Sequence, residues 1–218
     1  MKKTLLVILD WVWINNDTKH ENPFHLERFP TFHWLLDELQ TTLDASGRAV
    51  WIPDWQIWNS EVGHMTIGCW RVIPQSIVKI DDLLDENKFQ NLPAFMAWIN
   101  HVTKNNSTLH LFTLFGPGWV HSSDTHLEKI LKIIPENIKV SLHLFGDGRD
   151  IEPKSMLELY KTFEKNIMSQ YKNVRVSSIS WRYFWMDRDN NWERVKLSYD
   201  LIVSKTNITN LSVDKYIE

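Results

Sequence analysis

Five short polar segments carry the residues that could do chemistry. Asp10 closes the apolar run Thr4–Leu9, and a carboxylate there could hold a divalent cation through hard oxygen ligands. Ser60 lies in PDWQIWNSEVGHMTIG, residues 53–68, where an irregular polar stretch turns into a plausible helix. The N-terminal dipole and backbone N–H groups of such a helix would stabilise an anion attached to the serine. No Ser-His-Asp signature accompanies it, so a metal would have to activate the hydroxyl. Arg149 and Asp150 in GDGRD, and Arg182 and Arg188 in WRYFWMDRD, offer planar guanidinium groups suited to phosphate and carboxylate together. His121 in GPGWVHSSD could donate to a phosphate oxygen or move a proton near neutral pH. Each has a plainer role as well: a turn for Asp10, an N-cap for Ser60, solvated surface charge for the arginines and the histidine.

The elements that must position these groups alternate between apolar strands and amphipathic helices. Thr4–Leu9 has the pattern of a strand buried on both faces. Further strands are expected at Leu109–Leu114, Ile138–Phe145 and Val174–Ile179. Helices are expected after Pro30 (Phe32, Leu35, Leu36 and Leu39 at helical spacing) and over Ser76–Leu84, Pro93–Lys104, Ser123–Ile133, Pro153–Tyr171 and Trp192–Val203. This order argues for an α/β protein with mostly parallel sheets and flanking helices. In such folds ligands sit at the carboxyl ends of strands, and four of the five polar segments fall there. A boundary near Arg71–Gln75 divides a first region, residues 1–73, from a second, residues 74–218.

The 218 residues suffice for one sizeable domain or two small ones. A net charge of -3 gives no reason to expect nucleic acid or an anionic membrane as partner. One cysteine, Cys69, excludes an intramolecular disulfide and fits a reducing compartment. No apolar stretch approaches the roughly 20 residues of a membrane span. The expectation is a soluble cytoplasmic protein.

Taken in order, LLVILDWVWIN, LDASGRAVWIPDWQIWNSEVGHMTIGCWRV, GPGWVHSSDTHL, LFGDGRD and WRYFWMDRDNNWERV resemble successive motifs of the cofactor-independent (2,3-bisphosphoglycerate-independent) phosphoglycerate mutases. The match runs from Lys3 to about Val203. The resemblance implies a partial alkaline-phosphatase-like metal domain with a partial inserted α/β substrate domain. It implies Ser60 as the nucleophile that carries the phosphoryl group, and Asp10 and Ser60 as ligands of two Mn2+ or similar divalent ions. His121, Arg149, Asp150, Arg182 and Arg188 would bind substrate, with His64 in a local structural role. The implied reaction interconverts 3- and 2-phosphoglycerate by an enzyme that is monomeric and needs no 2,3-bisphosphoglycerate. Members are more than twice this long, so residues 1–218 alone are expected to be inactive. Pro117 and Ser123 depart from the family pattern around His121. The alternatives are an inactive homologue or another phosphomutase of the alkaline phosphatase superfamily.

The resemblance has a systematic defect. Trp11, Trp13, Trp51, Trp55, Trp58, Trp70, Trp119 and Trp181 stand where the family has glycine, and Trp185 where it has a small residue. The chain holds 12 Trp and only 7 Gly. Restoring eight glycines would bring their share to about the usual 7%. Drift would scatter many residue types, and a base-stacking platform would call for a basic groove. The expectation is that these codons are UGA, translated as tryptophan in this sequence but read as glycine at the source. Rings at these positions should then be strained or pushed into solvent.

Overall fold

The computed structural model describes residues 3–9, 28–39, 41–56 and 59–204, together with 215 and 217. Two compact units divide the chain, Met1–Gln75 and Ser76–Glu218.

In the second unit three parallel strands, β1 (Thr108–Phe115), β2 (Lys139–Gly146) and β3 (Val174–Trp181), lie in the order β1-β2-β3. Parallel neighbours require long crossovers, and the chain supplies helices for them. Two helices come first, α3 (Ser76–Asp85) and α4 (Pro93–Lys104). Then α5 (Asp124–Ile133) joins β1 to β2, and α6 (Met156–Asn166) joins β2 to β3. A short α7 (Arg182–Trp185) and α8 (Trp192–Val203) follow β3. All three strands and the helices other than α7, which falls in the segment expected to be a loop, lie where hydrophobic periodicity predicts them. One difference is that the expected helix Pro153–Tyr171 starts at Met156 and ends at Asn166, with a separate 3-10 turn at Met168–Gln170.

Because side chains alternate along a strand, one sheet face carries Leu109, Val140, Leu142 and Leu144. These pack with Phe95 and Val102 of α4, Leu127 and Leu131 of α5, and Tyr160 and Phe163 of α6 into one continuous core. Leu142 and Leu144 are fully buried. The opposite face is polar and aromatic. His143 lies between His110 Nδ1 (2.9 Å from its Nε2) and Ser178 Oγ (2.7 Å from its Nδ1). Phe112 stacks on its ring at 4.4 Å. Burial, reinforced by the neighbouring His110, pushes the His143 pKa down to about 4.

The first unit contains α1 (Pro30–Leu39), a 3-10 turn at Gly47–Val50 and α2 (Ser60–Cys69). Its buried cluster is small: Val50, Ile52 and Val62. The expected strand Thr4–Leu9 does not form. Residues 3–9 adopt no regular structure, and Leu5 to Leu9 are exposed, Leu5 by 85%. A buried parallel strand takes its hydrogen bonds and its burial from neighbours, and the one described sheet comprises only β1–β3.

Candidate active site

Three loops leave the carboxyl ends of β1, β2 and β3, and they bring most of the predicted site residues together. The turn after β2 is organised by Asp147, whose Oδ1 accepts from the backbone N–H groups of Arg149 (3.0 Å) and Asp150 (3.2 Å). Gly148 supplies φ +125°, where a Cβ would be strained. Arg182, the first residue after β3, reaches back across the sheet end. Its Nη1 donates to Asp147 Oδ1 at 3.1 Å and to Asp150 Oδ2 at 2.5 Å. His121, from the loop after β1, places Nε2 3.7 Å from the same Asp150 oxygen. His121, Asp150 and Arg182, distant in sequence, thus form one chain of contacts.

The loop after β1 is shaped by close approach. At Gly116 (φ +147°) the backbone favours glycine, and a Cβ would meet Ile151 Cδ1 at 2.7 Å where the loops after β1 and β2 pack together. The Gly116 carbonyl also accepts from the Asp124 N–H at the start of α5.

Burial alone would raise the Asp147 carboxyl, whose side chain is 4% exposed. The two backbone donors and Arg182 outweigh it and hold the group below the usual carboxylate range. For Arg182 burial would lower the pKa, and Asp150 and Asp147 reverse this. Both therefore stay charged. A second pair lies alongside: Arg194 donates to Asp187 Oδ1 at 3.0 Å while its guanidinium stacks over the Tyr183 ring at 3.9 Å.

Asp147, Arg182 and the Asp187–Arg194 pair line a cleft of about 750 Å³, together with Arg149 and Arg188. Two of its arginines, Arg182 and Arg194, are committed to carboxylates. The other two, Arg149 and Arg188, are exposed and make no ion pair among the described residues. A cleft with two fixed and two available guanidinium groups is suited to a small multiply charged anion. Asp147, Asp187 and Arg194 were not singled out by sequence reasoning. The signal for Asp147 was present, a carboxylate between glycines directly after a strand; the Asp187–Arg194 pairing spans a turn and a helix start and has no local signature.

Ser60 belongs to the other unit. Asn59 is the N-cap of α2, its Oδ1 accepting from the Val62 N–H at 3.1 Å. The serine is therefore the first helical residue and not the cap. His64 Nδ1 lies 2.8 Å from the Ser60 carbonyl oxygen and 3.3 Å from Oγ. A carbonyl can only accept, so Nδ1 carries the proton and cannot take one from the hydroxyl. This agrees with a local structural role for His64. Asp10 lies outside the described residues.

Among the described residues no three His, Cys, Asp or Glu side chains converge on a point that could hold a metal ion. The oxygen donors Ser60 and Asp10 are of the hard type that divalent cations take, but two are fewer than such an ion needs. No helix of the described residues is long and apolar enough to cross a membrane.

Comparison with known proteins agrees with this architecture. The family model for the BPG-independent phosphoglycerate mutase N-terminus matches residues 80–218. The 2,3-bisphosphoglycerate-independent phosphoglycerate mutase of Mycoplasmopsis synoviae is 38% identical over 221 residues, covering 100% of this chain and 44% of the relative. The corresponding enzyme of Francisella tularensis subsp. tularensis is 40% identical over 206 residues, covering 93% and 40%. Among solved structures, Leishmania mexicana phosphoglycerate mutase at low cobalt concentration superposes with a TM-score of 0.72 at 26% identity. That match covers 86% of this chain and 36% of that one. The chain thus spans less than half the length of the relatives it matches, and it belongs to the family of BPG-independent phosphoglycerate mutases, in their N-terminal part.

Proposed function

We propose that this chain is the portion of a phosphoglycerate mutase that contributes the nucleophile and much of the substrate cradle, in an enzyme interconverting 3- and 2-phosphoglycerate. The observation that carries the reading is the arginine cleft at the carboxyl ends of β2 and β3, where Arg149 and Arg188 are available beside the fixed Arg182. Phosphoglycerate presents a phosphate and a carboxylate on three carbons, which that cleft can address at both ends.

In this reading Ser60 Oγ attacks phosphorus, the bond to the glycerate oxygen breaks, and a phosphoserine holds the group while the glycerate turns. The other glycerate hydroxyl then attacks, and Ser60 is regenerated. The helix N-terminus stabilises the charge on phosphoserine, because its first N–H groups point at the anion. His121, held beside Asp150, and Arg182 orient the glycerate portion; Arg149 and Arg188 close on its charged ends. Asp10 and Ser60 would hold divalent metal, manganese in our reading, which supplies charge neutralisation and favours the ionised hydroxyl when bound. The enzyme would act in the cytoplasm as a monomer, without 2,3-bisphosphoglycerate.

The test uses the protein encoded by the complete reading frame. Incubated with manganese and 3-phosphoglycerate, it should form 2-phosphoglycerate in an enolase-coupled assay and carry phosphate on the Ser60 peptide by mass spectrometry. Turnover with no phosphate ever trapped on Ser60, and full activity in Ser60→Ala, would sink the reading.

A further inference from the structure

The described residues with left-handed backbone are of three types. Three are glycine (Gly47, Gly116, Gly148) and three are asparagine (Asn87, Asn106, Asn190). The remaining three are tryptophan: Trp51 at φ 57°, Trp70 at φ 54° and Trp119 at φ 53°. Glycine has no Cβ to clash there, and asparagine is the side chain that tolerates the region through local hydrogen bonding. Tryptophan has neither property.

The location of the three is equally specific. Trp51 is the C-cap of the 3-10 turn Gly47–Val50, and its backbone N–H closes onto the Arg48 and Gly47 carbonyls. Trp70 is the C-cap of α2, its N–H closing onto the Ile67 carbonyl. A left-handed residue ending a helix is the position where glycine is most favoured, and there the backbone conformation is the function. The Trp70 side chain is 95% exposed, so no packing offsets the strain. Trp119 sits between Gly118 and Val120 in the loop that carries His121, and its ring lies edge-on to His126 at 5.0 Å.

The other described tryptophans behave differently. Trp34, Trp98, Trp185 and Trp192 lie in helices, and Trp181 is extended at φ -117°. Trp185 is packed against Phe145 at 4.5 Å, with its indole N–H buried and unpartnered. Left-handed backbone thus separates one group of tryptophans from the rest of the same residue type.

We propose that the native protein carries glycine at positions 51, 70 and 119, the codons there being UGA decoded as glycine. The glycine assignment rests on backbone geometry and stands whether or not the mutase reading does, and the codon assignment adds to it the excess of tryptophan (12) over glycine (7) in the sequence. It is also narrower than the set of eight positions that the family resemblance suggests, since the backbone at Trp55 and Trp181 makes no such demand.

Two measurements decide it. Peptides spanning the three positions, from protein purified from its source organism, should have the mass of glycine at each; tryptophan at any of them, or a UGG codon in the gene, overturns the proposal. In recombinant chain of the sequence as written, Trp51→Gly, Trp70→Gly and Trp119→Gly should each raise the melting temperature, by about 2–4 °C for a chain of this size. The helical control Trp98→Gly should lower it. A fall at all three loop positions, like the control, also overturns the proposal.

Discussion

The Ser60 segment and the arginine cleft are built in opposite ways. Ser60 is presented by one helix start, capped by its own neighbour Asn59 and backed by the three-residue cluster of Val50, Ile52 and Val62. The cleft is assembled from the segments that follow β2 and β3, and its central carboxylate Asp147 is 4% exposed and satisfied by two backbone groups and an arginine 35 residues away. The proposed nucleophile therefore depends on local geometry, whereas the proposed binding groups depend on one another. Substitutions should separate the two: chemistry lost without stability on one side, stability lost with binding on the other.

The largest effect expected is at Ser60. In the complete enzyme Ser60→Ala should reduce coupled-assay turnover to background while the thermal midpoint moves little, since alanine is a good first-turn residue and Asn59 keeps the cap. A midpoint that collapses with the activity would mean the serine is structural, and the contrast would fail. Next comes Arg182→Ala, which strands the buried Asp147 and its neighbour Asp150. Breaking such a pair costs about 3–5 kcal/mol, readable in urea denaturation. Arg182→Lys should recover only part of it, because the compact, strongly hydrated ammonium costs more to bury at the place where Nη1 meets both carboxylates.

A third test uses pH and lies outside the cleft. His143 has its pKa depressed to about 4 from 6.5. The unfolded chain therefore binds more protons between these values, and stability present above pH 6.5 declines as pH falls toward 4. The slope is at most about 1.4 kcal/mol per pH unit. Denaturation midpoints measured across that window should flatten in His143→Gln; an unchanged slope would assign the dependence to other groups. The smallest effect is Asn59→Ala, about 1 kcal/mol from the lost N-cap. It should loosen α2, measured by hydrogen exchange of the Val62 amide, and leave the cleft unaffected.

How much was legible in advance follows the same division. Strands β1, β2 and β3 were readable because each is a short segment with recurring apolar residues between polar loops, and the helices because their apolar positions recur at helical spacing. His121, Arg149, Asp150, Arg182 and Arg188 were nominated from loops at strand ends, and a parallel sheet gathers all such loops on one edge. The failures are residues whose state is set by something distant. Thr4–Leu9 has a buried strand's composition but no neighbouring strand to pair with among the described residues. Asp147 looks like a turn residue until Arg182 is placed against it, and His143 like any strand histidine until Phe112, His110 and Ser178 enclose it.

The sequence by itself determined the alternation of elements, the edge on which the polar loops gather, the serine at a helix start and the family, because these depend on local periodicity and on motifs read in order. Only the tertiary structure decided which arginines are spent on carboxylates and which remain available, that Asn59 and not Ser60 caps α2, and which tryptophans stand in glycine's conformation. Charge pairing depends on distances across loops, and backbone handedness on how a turn must close; neither is encoded in the spacing of residues along the chain.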